Sequence, residues 1–268
     1  MSNFTFIQYL LVFIVTFIVA IDQFSFLESL YQPIVVGPVI GAILGDMKTG
    51  LVVGGTYQLI QIGSMPVGGA QPPNAVIGGI MATIFAVTMP SVDPSAAVGM
   101  AVPFALLGQY AVTTAFTLMS PLMKKADEAA KAANPKGIEQ INYIGMALIG
   151  LLFAVIIMVG MKLGVSFSGA IVSWSSNNSW FMAGLAAGGK MMRYVGFAIL
   201  MKIMLSGELW GFFFLGFAFA TIISKVPGLQ GSALLIIAMI GAAIAIYDFQ
   251  TNTKLRDLTS GGGDEDGI

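Results

Sequence analysis

The amides Gln58, Gln61, Gln71 and Asn74 lie close together in an apolar, glycine-rich stretch, GDMKTGLVVGGTYQLIQIGSMPVGGAQPPN, over residues 45–74. A side-chain amide offers two donors and an acceptor without carrying charge. That set suits hydroxyl groups, which donate and accept, better than it suits ions. Gln58 and Gln61 are three apart and share a face if their segment is helical. They could equally bond between helices, where such a contact is worth about 0.6 kcal/mol in a membrane. Gly68 and Gly69 open backbone conformations closed to other residues. Pro72 and Pro73 fix an extended approach, and Asn74 is placed to N-cap a helix starting at Ala75. Capping and ligand contact are compatible at Asn74. Gln71 has no such structural duty and ranks first as a contact.

The charged candidates are fewer. Asp22 ends the first apolar segment, in AIDQFSFLESLYQP, with Glu28 six residues on. A carboxylate inside a membrane is a functional candidate by default, whereas in an interfacial loop it costs little. Asp22 is carried forward as a supporting acceptor. Asp46 and Lys48, between Gly45 and Gly50, read as a tight turn whose charges are solvated or paired with each other. Lys190, Arg193 and Lys202 flank or interrupt the apolar run 180–219. They could snorkel, pair with a partner subunit or meet a phosphate, and the first two are preferred. Gly188-Gly189 reads as a break in that run.

These residues sit in a chain that is 57% hydrophobic and only 9% charged over 268 residues, with mean hydropathy +0.88. Soluble domains are about 25% charged. The fold class expected is an all-α polytopic integral membrane protein. Apolar segments run over 7–20, 34–44, 51–62, 75–89, 96–118, 141–161, 165–172, 180–205, 209–223 and 233–247. A spanning helix takes roughly 20 residues, so about eight to ten membrane segments are expected, including short, re-entrant or broken helices. Segment 34–44 would cover about 17 Å of a core about 30 Å thick. Short segments interrupted by Gly and Pro mark binding sites near the midplane of transporters, which gives the amide cluster its setting.

One membrane domain is expected over 1–250, followed by a flexible acidic tail over 251–268. The polar link KKADEAAKAANPKGIEQ, over 124–140, reads as a short exposed helix ending near Asn134-Pro135. Its lysines, Lys124, Lys125, Lys131 and Lys136, place it in the cytoplasm. Asn177 and Asn178, beside Trp174 and Trp180, read as an interfacial turn with aromatic anchors. Met1-Ser2-Asn3 lacks the basic start of a secretory signal, so segment 7–20 is expected to be retained.

Several functions are disfavoured. A net charge of −1 gives no reason to expect nucleic acid. The chain has no cysteine and no histidine. It therefore offers no thiolate metal site and neither phosphohistidine nor phosphocysteine. It also lacks the commonest general base. With no Walker A loop and no triad, no catalytic residue, metal or cofactor is expected.

The run GAILGDMKTGLVVGGTYQLIQIGSMPVGGAQPPN resembles the IIC membrane subunit of the mannose–fructose–sorbose family of bacterial sugar phosphotransferase systems. The leader AIDQFSFLESLYQPIVVGPVIG and the run GELWGFFFLGFAFA are similar to that family too, so the likeness extends from Ile7 to about Tyr247. It implies a sugar permease subunit in the bacterial cytoplasmic membrane, working with a membrane subunit, IID. The phosphoryl group would come from phosphoenolpyruvate through IIA and IIB, the last carrier being a phosphohistidine on IIB. It also implies an oligomer of IIC–IID pairs with a moving transport domain. The Asp22 leader and GAQPPN look closer to the galactosamine and N-acetylgalactosamine branch. In the mannose branch a Glu stands near the Gln58 position and an Asp near the Asn74 position, where this chain has amides. Mannose, fructose or sorbose remains the alternative substrate class. The residues themselves leave two rivals open: an ion-coupled transporter with Asp22 or Glu28 as relay, and a subunit that only assembles with a partner.

Overall fold

The computed structural model describes residues 4–25, 27–62, 72–229 and 232–260. Gln71 and the glycine pair Gly68-Gly69 lie outside them. Among the described residues regular structure is helical throughout. Two compact units are formed, Met1–Ile203 and Met204–Ile268.

In the first unit, α1 (Phe6–Ser25) is followed by three short helices: α2 (Pro33–Leu44), α3 (Met47–Gln61) and α4 (Ala75–Thr88). Then come α5 (Pro94–Lys131), α6 (Pro135–Asn177) and α7 (Ser179–Met204). Helix α4 is the centre. Every residue from Ala75 to Ala86 is buried, as expected of a helix that is apolar all round. It packs against α2, α3, α5 and α6.

The short helices α2 and α3 form a hairpin whose turn is set by chemistry visible in the sequence. Gly45 ends α2 at φ 99°, and the Asp46 N–H donates to the Gly41 carbonyl at 2.8 Å. That is the left-handed glycine stop of a helix C-terminus. Asp46 then caps α3: its carboxylate accepts from the Thr49 N–H at 3.0 Å and the Thr49 hydroxyl at 2.6 Å. Asp46 thus takes Thr49 as its partner, and the expected turn is confirmed. Along the hairpin the backbones touch. A Cβ on Gly37 would lie 2.6 Å from the Gly50 carbonyl oxygen and 2.8 Å from Gly54 Cα. A Cβ on Gly41 would lie 2.9 Å from Gly50 Cα. Gly37/Gly41 and Gly50/Gly54 are two small-xxx-small pairs facing each other, the device by which membrane helices approach closely.

The long helices revise three sequence readings. The exposed helix expected over the polar link is the end of α5, which continues unbroken to Lys131. Segments 141–161 and 165–172 belong to one helix, α6, of 43 residues. Gly188-Gly189 does not break α7, which runs on to Met204. Gly189 is there for close approach, since a Cβ on it would strike the Ser95 carbonyl oxygen of α5. At 1.5 Å per residue α5 and α6 measure about 57 and 65 Å, well beyond the bilayer core. The surplus of α5 falls at the end it shares with α6, where the four lysines of the link lie. Helix α6 also extends beyond its apolar stretch Pro135–Gly164 at the other end, to Asn177. The break between α6 and α7 comes at Asn178, beside an edge-on Trp174–Phe181 pair at 5.0 Å. It matches the expected aromatic turn.

The cations of α7 are accounted for in part. Lys190 Nζ lies 3.5 Å from Asp93, with both side chains about half exposed (51% and 47%), so the pair contributes little to stability. The Ser95 N–H, more than Lys190, holds the Asp93 carboxyl below the usual carboxylate range. Lys202 is exposed, and the Arg193 side chain lies outside the description.

The second unit holds a 3-10 turn at Gly207–Leu209, α8 (Trp210–Ile223) and α9 (Ala233–Ser260). Helix α8 is apolar yet buries no residue. Helix α9 continues past Tyr247 to Ser260, so the first turns of the expected flexible tail are helical; residues 261–268 lie outside the description. By length and composition, Phe6–Ser25, Pro94–Lys131, Pro135–Gly164 and Ala233–Leu255 can each cross a membrane. Helices α2 and α4 are apolar but too short to do so alone.

Candidate functional site

A cavity of about 260 Å³ opens where the C-terminal ends of α1 and α3 meet the N-terminus of α4. Gln23, Glu28, Tyr31, Gln61 and Asn74 line its polar part. Ligand pockets commonly measure about 300–1,000 Å³, so this cavity, just below that range, leaves room for a guest no larger than a monosaccharide.

Each polar wall has an identifiable support. Asn74 caps α4, its Oδ1 accepting from the Ile77 N–H at 3.0 Å. Its Nδ2 donates to Gln23 Oε1 at 3.0 Å, and its own N–H donates to the Ala105 carbonyl of α5 at 2.9 Å. Three hydrogen bonds, to groups of α1, α4 and α5, thus fix Asn74. Gln61, in the last turn of α3, differs. Its Oε1 is buried and has no hydrogen-bond partner among the described residues. An orphaned buried acceptor costs about 1–3 kcal/mol, a cost that a donor on a bound guest would relieve.

Asp22 is fully buried and organises the loop after α1. Its Oδ1 accepts from the Leu27 N–H at 2.9 Å and its Oδ2 from the Tyr31 N–H at 3.0 Å. Both oxygens are thus taken by backbone, at the two ends of the loop that carries Glu28. Replacing Asp22 with Asn keeps the shape but turns an NH2 towards one of those N–H groups. We expect a cost of about 1–3 kcal/mol, read as a lower melting temperature, and a higher sugar concentration for half-maximal uptake. Unchanged melting and uptake would remove Asp22 from this role.

Gln58 is placed elsewhere. Its Nε2 donates to Gln32 Oε1 at 2.7 Å and its Oε1 accepts from the Ile34 N–H at 3.2 Å. The Ile34 N–H is in the first turn of α2, where no intrahelical partner exists, and Gln32 makes no side-chain cap there. Gln58 therefore caps α2 from α3, and it is not among the residues lining this cavity. Of the amides read from sequence, Gln61 and Asn74 come together, Gln58 serves the hairpin, and Gln71 lies outside the described residues. Sequence reasoning did not single out Gln23. Its signal was position, one residue after Asp22 at the end of a helix, and nothing local pairs it with Asn74.

The arrangement is a small amide-lined pocket at broken helix ends inside a membrane-type helical unit. Residues 6–247 match the profile of the family described as PTS system sorbose-specific IIC component. The chain belongs to this IIC family. It is 34% identical over 256 residues to N-acetylgalactosamine permease IIC component 1 of Escherichia coli K12, covering 96% of this chain and 92% of that one. A solved chain described as a membrane protein superposes with TM-score 0.74 at 28% identity, covering 92% of this chain and 97% of that one. A chain from the cryo-EM structure of the mannose transporter ManYZ with microcin E492 superposes with TM-score 0.57, also at 28% identity, covering 93% and 97%. As a IIC chain of the mannose/sorbose family, the protein is a sugar-transport subunit of a bacterial phosphotransferase system, and phosphoryl transfer belongs to other subunits.

Proposed function

We propose that this IIC subunit carries a hexose or amino sugar, of the N-acetylgalactosamine or galactosamine type, across the cytoplasmic membrane together with IID for phosphorylation by IIB. The observation that carries the reading is a pocket of about 260 Å³ lined by Gln23, Gln61 and Asn74, in which the buried Oε1 of Gln61 has no hydrogen-bond partner among the described residues. Gln61, Asn74, Gln23 and Gln71 bind hydroxyl or acetamido groups, and Asp22 holds the loop that closes one side. The 34% identity to an N-acetylgalactosamine permease chain supports the amino-sugar branch. Mannose, fructose or sorbose is the alternative, supported by the likeness to a ManYZ chain.

Transport proceeds by alternating access. The broken helices α2–α4 carry the sugar past the barrier, within about eight to ten membrane segments, several too short to span. Oligomers of IIC–IID pairs present the site to IIB from the lysine-rich side. The ion-coupled rival gains nothing from Asp22, whose oxygens are both engaged by backbone N–H groups.

Membranes bearing this chain and IID, supplied with the soluble carriers and phosphoenolpyruvate, should phosphorylate an amino sugar in preference to mannose, fructose or sorbose. No phosphorylated product from any of these sugars would overturn the reading. In the same membranes Gln71→Ala should lower uptake about fivefold or more, the effect of losing one ligand hydrogen bond, while the protein stays in the membrane. Normal uptake kinetics in that variant would exclude Gln71 from the site.

A further inference from the structure

We infer that Glu28 is a charge filter for the pocket: it admits neutral or cationic sugars and disfavours anionic ones, including the phosphate ester of the transported sugar. The inference rests on the reading that this pocket holds the sugar.

Glu28 is the one formally charged residue among the described residues lining the cavity. Among the described residues no lysine or arginine lines it to hold a phosphate. The backbone of Glu28 is in the left-handed region, φ 51°, uncommon for a residue with a side chain. Such positions cost free energy and persist where the surroundings impose them. Here the imposing group is Asp22, which holds the Leu27 and Tyr31 N–H groups on either side of Glu28. A buried carboxylate thus fixes the loop that presents a second, exposed carboxylate at the pocket.

The remaining polar wall does not offset that charge. The free group of Gln61 is an acceptor, which wants a donor and repels another oxygen anion. The N-terminus of α4 is the competing positive pole, equivalent to about half a charge. Part of it is already spent, since the Ile77 N–H is capped by Asn74 and the Asn74 N–H is bonded to Ala105. Esterification with phosphate adds about −1.5 to −2 charges at neutral pH. The free sugar and its phosphate ester therefore meet Glu28 very differently. Glu28 is open to solvent, so the repulsion is screened rather than absolute. The consequence is directional: a sugar that has been phosphorylated in reach of the pocket is disfavoured from returning to it.

The test is competition binding to the full chain co-purified with IID. The probes are N-acetylgalactosamine against its 6-phosphate, and galactose against galacturonate, which carries charge without phosphate bulk. Wild type should prefer each uncharged sugar. Glu28→Gln should narrow that preference about three- to tenfold for both pairs, a screened single-charge effect, and Glu28→Lys should narrow it further. Glu28→Asn, which tolerates a positive φ, carries the same expectation if the glutamine variant does not fold. Neutral sugars that still bind with an unchanged neutral-to-anionic ratio in these variants would overturn the filter and leave the pocket reading standing. A wild-type complex that binds none of the four probes would overturn both.

Discussion

Gly50→Leu is expected to yield almost no folded protein, and Gly50→Ala to lower the melting temperature sharply. The reason is backbone against backbone. A Cβ on Gly50 would strike the Gly37 carbonyl oxygen and lie 2.9 Å from Gly41 Cα. No rotamer change relieves a clash with main chain, so α2 and α3 must move apart. Overpacking a close contact typically costs about 1–3 kcal/mol for a small insertion; a leucine side chain asks for more room than the hairpin has. The neighbouring Gly55 provides the control. A Cβ there meets only the terminal Cδ1 of Ile34, at 3.3 Å, a flexible group that can turn aside. Gly55→Ala should therefore behave almost like wild type. Thermal melting of the detergent-solubilised protein checks both, and equal melting of Gly50→Ala and Gly55→Ala would contradict the packing described. The effect reaches function because α3 carries Gln61 and α2 begins beside the Asp22 loop.

Gln61→Leu should separate stability from transport. Leucine has similar bulk and no acceptor, so the orphaned Oε1 disappears along with its desolvation cost. Melting temperature should hold or rise. Sugar affinity should fall about 5- to 150-fold, the equivalent of about 1–3 kcal/mol for one lost hydrogen bond in a dehydrated site. A residue kept only for packing would show the opposite pattern, or none. Uptake kinetics and melting measured on the same preparation decide it. A loss of stability with unchanged half-saturation would place Gln61 outside the sugar site.

Much of this was legible in local chemistry. The turn between Gly45 and Gly50, Asn74 as a cap and the Asn178 turn are signals that act over one to four residues, and each appears where the sequence puts it. That Asp46 caps α3 through Thr49 was not read from sequence. The short helices were legible too, because length against bilayer thickness is simple geometry. What was not legible depends on partners distant in sequence. Gln58 read as a hydroxyl contact or an interhelical bond, and local sequence does not choose between the two. Its partners, Gln32 and the Ile34 N–H, are 26 and 24 residues away. Gln23 stayed hidden for the same reason, with Asn74 51 residues distant. Gly189 read as a break because glycine permits both breaking and close approach, and only α5 beside it decides between them. Helix α6 ran on through a polar interruption near Lys162 that hydropathy alone had treated as a boundary.

The most direct test of the sugar pocket is a cryo-EM structure of this chain with IID in the presence of N-acetylgalactosamine. The account predicts sugar density in the cavity between α1, α3 and α4, with a donor group within hydrogen-bond distance of Gln61 Oε1 and contact to the Asn74–Gln23 pair. Sugar bound elsewhere, with that cavity empty and Gln61 Oε1 still without a partner, would contradict it.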